Sequence, residues 1–204
     1  MGVHDFSINP KIEDIKNLEK PSESEVLDAV RTLLRWTGDN PDRDGLKDTP
    51  KRVLKAYGEW FKGYEENPTE LLSKTFEEVQ GYNDWVVLDS IRVESYCEHH
   101  LAPIIGVAKV GYLPDGLVVG ISKLVRVVNA YSKRLQIQER LTREIGLAIH
   151  ETLNPKGVAV AIKAEHHCMC TRGVNKPGTK MLTSSFIGEA EKNLEFRRSF
   201  LEFD

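Results

Sequence analysis

Two short stretches hold all three cysteines and four of the six histidines of this chain: Cys97-Glu98-His99-His100 and His166-His167-Cys168-Met169-Cys170. Cys-x2-His has the spacing of a one-turn metal chelate, and a remote thiolate can complete a zinc shell. Thiolate and imidazole together suit zinc, which needs no redox partner. If Cys97, His100 and Cys168 are the only protein ligands, one position stays open for water, the arrangement of a catalytic zinc. A rival reading places Cys168 and Cys170 on one strand, where side chains two apart share a face. Cys170 would then close the shell as a fourth ligand and make the zinc structural. Spacing alone leaves both open.

Other residues suggest what such a centre would act on. Gly120-Ile121-Ser122-Lys123 opens a helix, and Lys123 and Arg126 lie three apart on one face near its start. Free backbone N–H groups, the helix dipole and two cations make a phosphate cradle. Arg52 and Lys55 repeat the pattern on an earlier helix. In Gln138-Glu139, the carboxylate accepts two parallel N–H bonds, as a guanine edge offers, and the amide both donates and accepts. Each of these features alone also reads as the solvated face of a helix.

The elements that must position these groups follow from pattern. Residues 1–21 are polar without a sustained period and read as a mobile arm. Ser22-Glu23-Ser24-Glu25 is a capping box before Val26, Leu27, Val30, Leu33 and Leu34, a helix that stops near Gly38. After a turn-rich connector, Thr49-Pro50 starts a second helix with Val53, Leu54, Tyr57, Trp60 and Phe61 as an apolar stripe, read as core packing. Strands are expected over 85–93 and 104–113. Pro114-Asp115-Gly116 then suggests a hairpin into 117–121. A helical region over 122–152, interrupted near 134–137, precedes a half-buried strand through Val158, Val160 and Ile162 that leads into His166. A strand over 181–187 and a helix over 189–200 complete the chain. The order fits an α+β fold: a helical part over 22–83 and a sheet-bearing catalytic part over 84–204.

Bulk properties narrow the class. A net charge of −3 argues against non-specific nucleic-acid binding. No stretch approaches the ~20 apolar residues of a membrane span, and the start MGVHDFSINPKIEDIKN lacks an apolar signal core. An odd number of cysteines gives no disulfide framework, so the expected setting is the reducing cytoplasm.

With these motifs in place, the sequence resembles the GTP cyclohydrolase I family. The resemblance is carried by Cys97-Glu98-His99-His100, by GISKLVRVVNAYSKRLQIQERLT over 120–142, by His166-x-Cys168-x3-Arg172-Gly173, and by Asn40-Pro41, Gly45-Leu46 and Thr49-Pro50-x-Arg52-Val53. It covers roughly residues 22 to 202. It implies a tunnelling fold, an antiparallel four-stranded sheet with helices packed on one side, assembled as a homodecamer of two pentamers with sites at subunit interfaces. It further implies that Cys97, His100 and Cys168 hold zinc, that His99 and His166 handle protons, and that Gln138 and Glu139 bind the guanine edge. Ser122, Lys123, Arg126, Arg172, Arg52 and Lys55 would hold ribose and triphosphate, some of them from a neighbouring chain. The implied reaction turns GTP and water into 7,8-dihydroneopterin triphosphate and formate, the first step of pterin and tetrahydrofolate synthesis, with His166 protonating N7. The family pattern does not require Cys170. The alternatives are a zinc-stabilised GTP-binding or structural module without turnover, and another enzyme of the same fold such as a pterin synthase or a deazapurine reductase.

Overall fold

The computed structural model describes residues 19–73, 75–76 and 82–203, so of the arm expected over 1–21 only 19–21 fall among them. The chain divides into two compact units, Met1–Glu59 and Trp60–Asp204. In the first, Ser22 caps helix α1 (Glu23–Trp36) through the expected capping box, its own N–H donating to the Glu25 carboxylate at 2.8 Å. Thr37 closes that helix, and Gly38 takes a φ of 91° that a side chain would disfavour. The connector is held by its own side chains, with Arg43 donating to both Asp39 oxygens at 2.9 and 2.8 Å. Helix α2 (Thr49–Trp60) carries Pro50 in its first turn, where a missing N–H breaks no helical bond. The stripe on α2 is not the closed core the sequence suggests. Val53 and Leu54 are half-buried, while Tyr57 and Trp60 each keep 38% of their surface. Helix α1 contains no buried residue at all.

The units divide earlier than the boundary at 83/84 read from the sequence. Trp60 and Phe61 stack on Tyr96 at centroid distances of 5.2 and 5.0 Å, inside the sheet-bearing unit. The buried Arg134 guanidinium donates to the carbonyls of Gly63 and Glu66 at 3.0 and 3.3 Å, tying in the 3-10 turn Lys62–Tyr64. Helix α3 (Pro68–Leu72) follows, and Leu72 is fully buried in the main core.

That core lies on one face of an antiparallel sheet whose neighbours run β2 (Val86–Cys97), β3 (Pro103–Leu113), β6 (Gly157–His166), β7 (Lys180–Gly188). A two-residue strand, β5 (Leu135–Gln136), adds in parallel at the free edge of β2. Helices α4 (Ile121–Ser132) and α5 (Gln138–Leu153) cover the core face, broken at 133–137 as expected. Leu124, Val127 and Val128 on α4, with Leu141, Ile145 and Ile149 on α5, follow helical spacing and are all fully buried over Val93, Ala108, Val160 and Ile162. Each such aliphatic side chain contributes roughly 1.5–3 kcal/mol by leaving water.

Three local expectations are corrected. Residues 117–121 do not return along β3, because both edges of β3 are already paired, to β2 and to β6. Instead β4 (Val118–Val119) pairs with β1 (Thr75–Phe76), and the Val119 N–H donates to the Tyr112 hydroxyl at 3.2 Å. Strand β6 is not half-buried: Ala159 and Ala161 on its other face pack against Ala190 and Phe200, so both faces are covered. The helix expected over 189–200 is split into α7 (Glu189–Lys192) and α8 (Leu194–Phe200) by Asn193, whose side chain accepts from the Phe196 N–H at 2.9 Å and starts a new helix. Lys109 pins the end of the chain to this second face, donating to the Glu202 carbonyl at 2.5 Å beside Asp89 at 2.7 Å. No helix among the described residues is long and apolar enough to cross a membrane.

Candidate active site

The soft donors meet where β2 ends and β6 ends. The Cys97 N–H donates to the Ala102 carbonyl at 2.8 Å, and the Cys97 carbonyl accepts from His100 and Leu101 at 3.3 and 2.8 Å. This tight reversal, closed by Leu101 at a φ of 54°, brings His100 back over Cys97. Register supplies the third donor. Ile104 in β3 faces His166, the last residue of β6, and the chain then coils into α6 (His167–Cys170), which presents Cys168. The ligand atoms of Cys97, His100 and Cys168 all lie within 4.8 Å of one another. Cys97 Sγ is 3.8 Å from His100 Nδ1, close to the edge of a tetrahedron with ~2.0–2.3 Å bonds. Cys97 is buried, Cys168 half-buried and His100 exposed, so the cluster is open on one side.

The electrostatics also fit a cation. Burial, and then the Cys97 thiol beside it, push the Cys168 thiol above its usual range, while Arg172 pulls it back. A dication among these donors would stabilise both as thiolates, and two sulfurs with one imidazole form a soft set for a divalent metal ion.

Cys170 does not share this face. Residues 167–170 form a helical turn, not a strand, and two helical residues are about 200° apart around the axis. Cys170 is buried away from the cluster, its thiol pushed up by burial and by Glu165. The four-ligand shell therefore lacks its fourth member.

His166 stands next to the cluster, and its tautomer follows from its partner. Gln138 opens α5 and is fully buried. Its Nε2 lies 2.9 Å from the Ile162 carbonyl, 3.0 Å from the Met181 carbonyl and 3.0 Å from the Thr183 hydroxyl. Carbonyls only accept, so the amide nitrogen must face them and Oε1 must face His166 Nε2, at 2.8 Å. Nε2 therefore carries the proton and donates, leaving Nδ1 as the basic atom of the neutral ring. Burial pushes the His166 pKa below its usual value, and the Glu139 carboxylate offsets part of that. Both amide protons of Gln138 are thus engaged, which leaves it a second lone pair on Oε1. Glu139, one residue on, is exposed.

The remaining predicted residues divide by location. His99 is at the cluster, with Nδ1 3.8 Å from Cys97 Sγ. Arg172 acts on Cys168 from the exposed segment after α6. Ser122, Lys123 and Arg126 are not brought there. They start α4 beyond the far end of β3, and Lys123 lies about 15 Å along the helix from the end that returns to β2. Ser122 and Arg126 are exposed. Arg52 and Lys55 sit on the exposed surface of α2, Arg52 3.7 Å from Asp48. Sequence reading passed over one group: Gln136, Arg140 and Glu144, joined to Glu98 behind the ligand turn. Their spacing of four was the available signal.

Comparison with known proteins gives the family. The profile of the family described as GTP cyclohydrolase I matches residues 26–203. GTP cyclohydrolase 1 of Maricaulis maris is 55% identical over 182 residues, 89% of each chain. The Hyphomonas neptunium protein of that name is 54% identical over 91% of this chain and 90% of its own, and the Brucella anthropi one 52% over 89% and 85%. The chain belongs to the GTP cyclohydrolase I family.

Proposed function

We propose that this chain is a zinc-dependent hydrolase that converts GTP and water to 7,8-dihydroneopterin triphosphate and formate. The observation that carries the reading is the open Cys97, His100 and Cys168 cluster beside a histidine of fixed tautomer. Zinc held by those three residues would supply the Lewis acidity that makes water nucleophilic near neutral pH. Glu139 is suited to accept the paired N–H groups of the guanine edge. His166 is suited to take up a proton at Nδ1 and, as the imidazolium, pass it to N7 as water adds at C8, while Gln138 keeps Nε2 occupied. His99, against the Cys97 thiol, is the second proton carrier, serving the later hydrolysis that releases formate.

Ribose and triphosphate binding fall to Ser122, Lys123, Arg126, Arg172, Arg52 and Lys55. Because α4 starts far from the cluster of its own chain, the reading requires a second copy to bring its Lys123 to the first. This supports a homo-oligomer, for which we propose the decamer of two pentamers that the resemblance implies. Three unpaired thiols suit a reducing cytoplasm. A zinc-bound module without turnover would need a fourth protein ligand, and Cys170 is turned away.

The test is GTP turnover by zinc-loaded protein, followed by the near-ultraviolet absorbance of the pterin product. Product formation that stops when the metal is stripped and returns with zinc supports the reading. Tight zinc binding without product would overturn it in favour of the module.

A further inference from the structure

The 98–144 network contains a carboxylate and a guanidinium that the reaction does not use. Glu98 lies inside the ligand turn, between Cys97 and the two histidines. Its N–H donates to the Gln136 carbonyl at 3.1 Å, and one carboxylate oxygen accepts from Arg140 Nη2 in a short ion pair. The other oxygen lies 3.8 Å from His99 Nε2. Arg140, in the first turn of α5, also donates from Nη2 to the Leu135 carbonyl at 3.1 Å and from Nε to Gln136 Oε1 at 3.0 Å. Gln136 in turn donates to the Glu144 carboxylate at 2.8 Å and to the Tyr131 carbonyl at 3.1 Å.

Most surface ion pairs contribute little, because two long side chains must be ordered in water for one screened contact. This one differs in three respects. The Arg140 side chain is 22% exposed and that of Glu98 33%, and the guanidinium is already ordered by two further acceptors on the β5 segment. The pair also joins two segments that must act together: the turn bearing Cys97, His99 and His100, and the helix start bearing Gln138 and Glu139.

We infer that Glu98 and Arg140 are positioning residues of the metal centre, an ion-paired strut that fixes the ligand turn to the start of α5. The inference rests on the proposed metal site. Neither residue belongs to the clustered donor set; both act through His100, Cys97 and the start of α5. Groups behind metal ligands characteristically change metal affinity by 10- to 100-fold when removed.

The experiment is a double-mutant cycle in the full-length zinc protein with Glu98→Gln, Arg140→Met and both together. Zinc affinity is read by competition with a chromophoric chelator, and kcat and KM for GTP are measured alongside. Each single variant should bind zinc about 10- to 100-fold more weakly, and the double variant should be no worse than the weaker single one. Arg140→Lys, which keeps the charge but cannot fork between Glu98 and Gln136, should remain weakened. If the singles compete like wild type, or if their losses add in full, the strut is refuted. A role confined to overall stability would lower the unfolding midpoint of metal-free protein and leave the competition curve unmoved, which also refutes it. If wild-type protein binds no zinc, the metal reading itself fails and takes the strut with it. A wild type that binds zinc beside unaffected variants isolates the failure to the strut.

Discussion

The two ends of the sheet are built differently. At the end where β2 and β6 finish, Arg140 and Gln136 brace the turn at Glu98, and Gln138 separately holds His166. At the other end α4 begins with Ser122 and Arg126 exposed and Lys123 half-buried, and Gly120 offers no side-chain cap. The first end is braced by its own side chains. On the proposed reading the reactive half of a site lies there, and the anion-binding half is supplied by the start of α4.

That contrast can be broken most severely at the ligands. Cys168→Ala should abolish turnover and zinc content together, measured by metal analysis of the purified protein. Next comes His166→Ala, which should lower kcat by about 10²- to 10⁴-fold while zinc stays bound; normal turnover would remove its proton-transfer role. At the other end, Lys123→Ala should act mainly on KM for GTP, raising it about 10-fold or more with a much smaller change in kcat. Reassembling denatured His166→Ala subunits with equal Lys123→Glu subunits sharpens the comparison. If each site draws on two chains, about a quarter of the sites should regain both residues and turn over GTP. Co-refolded mixtures that stay inactive would place both halves in the same chain. The smallest effect belongs to Cys170→Ser, expected to leave zinc and kcat unchanged and to shift urea stability by about 1 kcal/mol.

Much of this was legible in the sequence, for identifiable reasons. The α+β order and most of the helices were announced by local signals, among them the Ser22 and Glu25 capping box and the helical spacing of apolar residues, whereas the tunnelling fold came from the family resemblance. The candidate metal cluster was legible because Cys and His gather nowhere else, though spacing left the place of Cys170 open. The failures share one cause, which is that tertiary partners decide what a local pattern cannot. Pro114-Asp115-Gly116 looks like a hairpin turn, but the edge it would need on β3 is occupied by β6, more than 40 residues later. Cys168 and Cys170 follow a strand, so extrapolating its period put them on one face; the strand had already ended. Gln138 looked like a surface amide, and only the carbonyls of Ile162 and Met181, from two other strands, show that it is a buried clamp.

Leu101 closes the ligand turn in the left-handed region, with half its side chain in water. A non-glycine residue there carries strain of order 1 kcal/mol, and glycine would relieve it. Glycine would also widen the range of turns the chain could sample, and the fold of His100 over Cys97 would become one option among several. Leu101 thus carries a small strain in exchange for a narrower choice of turns, and the position of His100 over Cys97 depends on that choice.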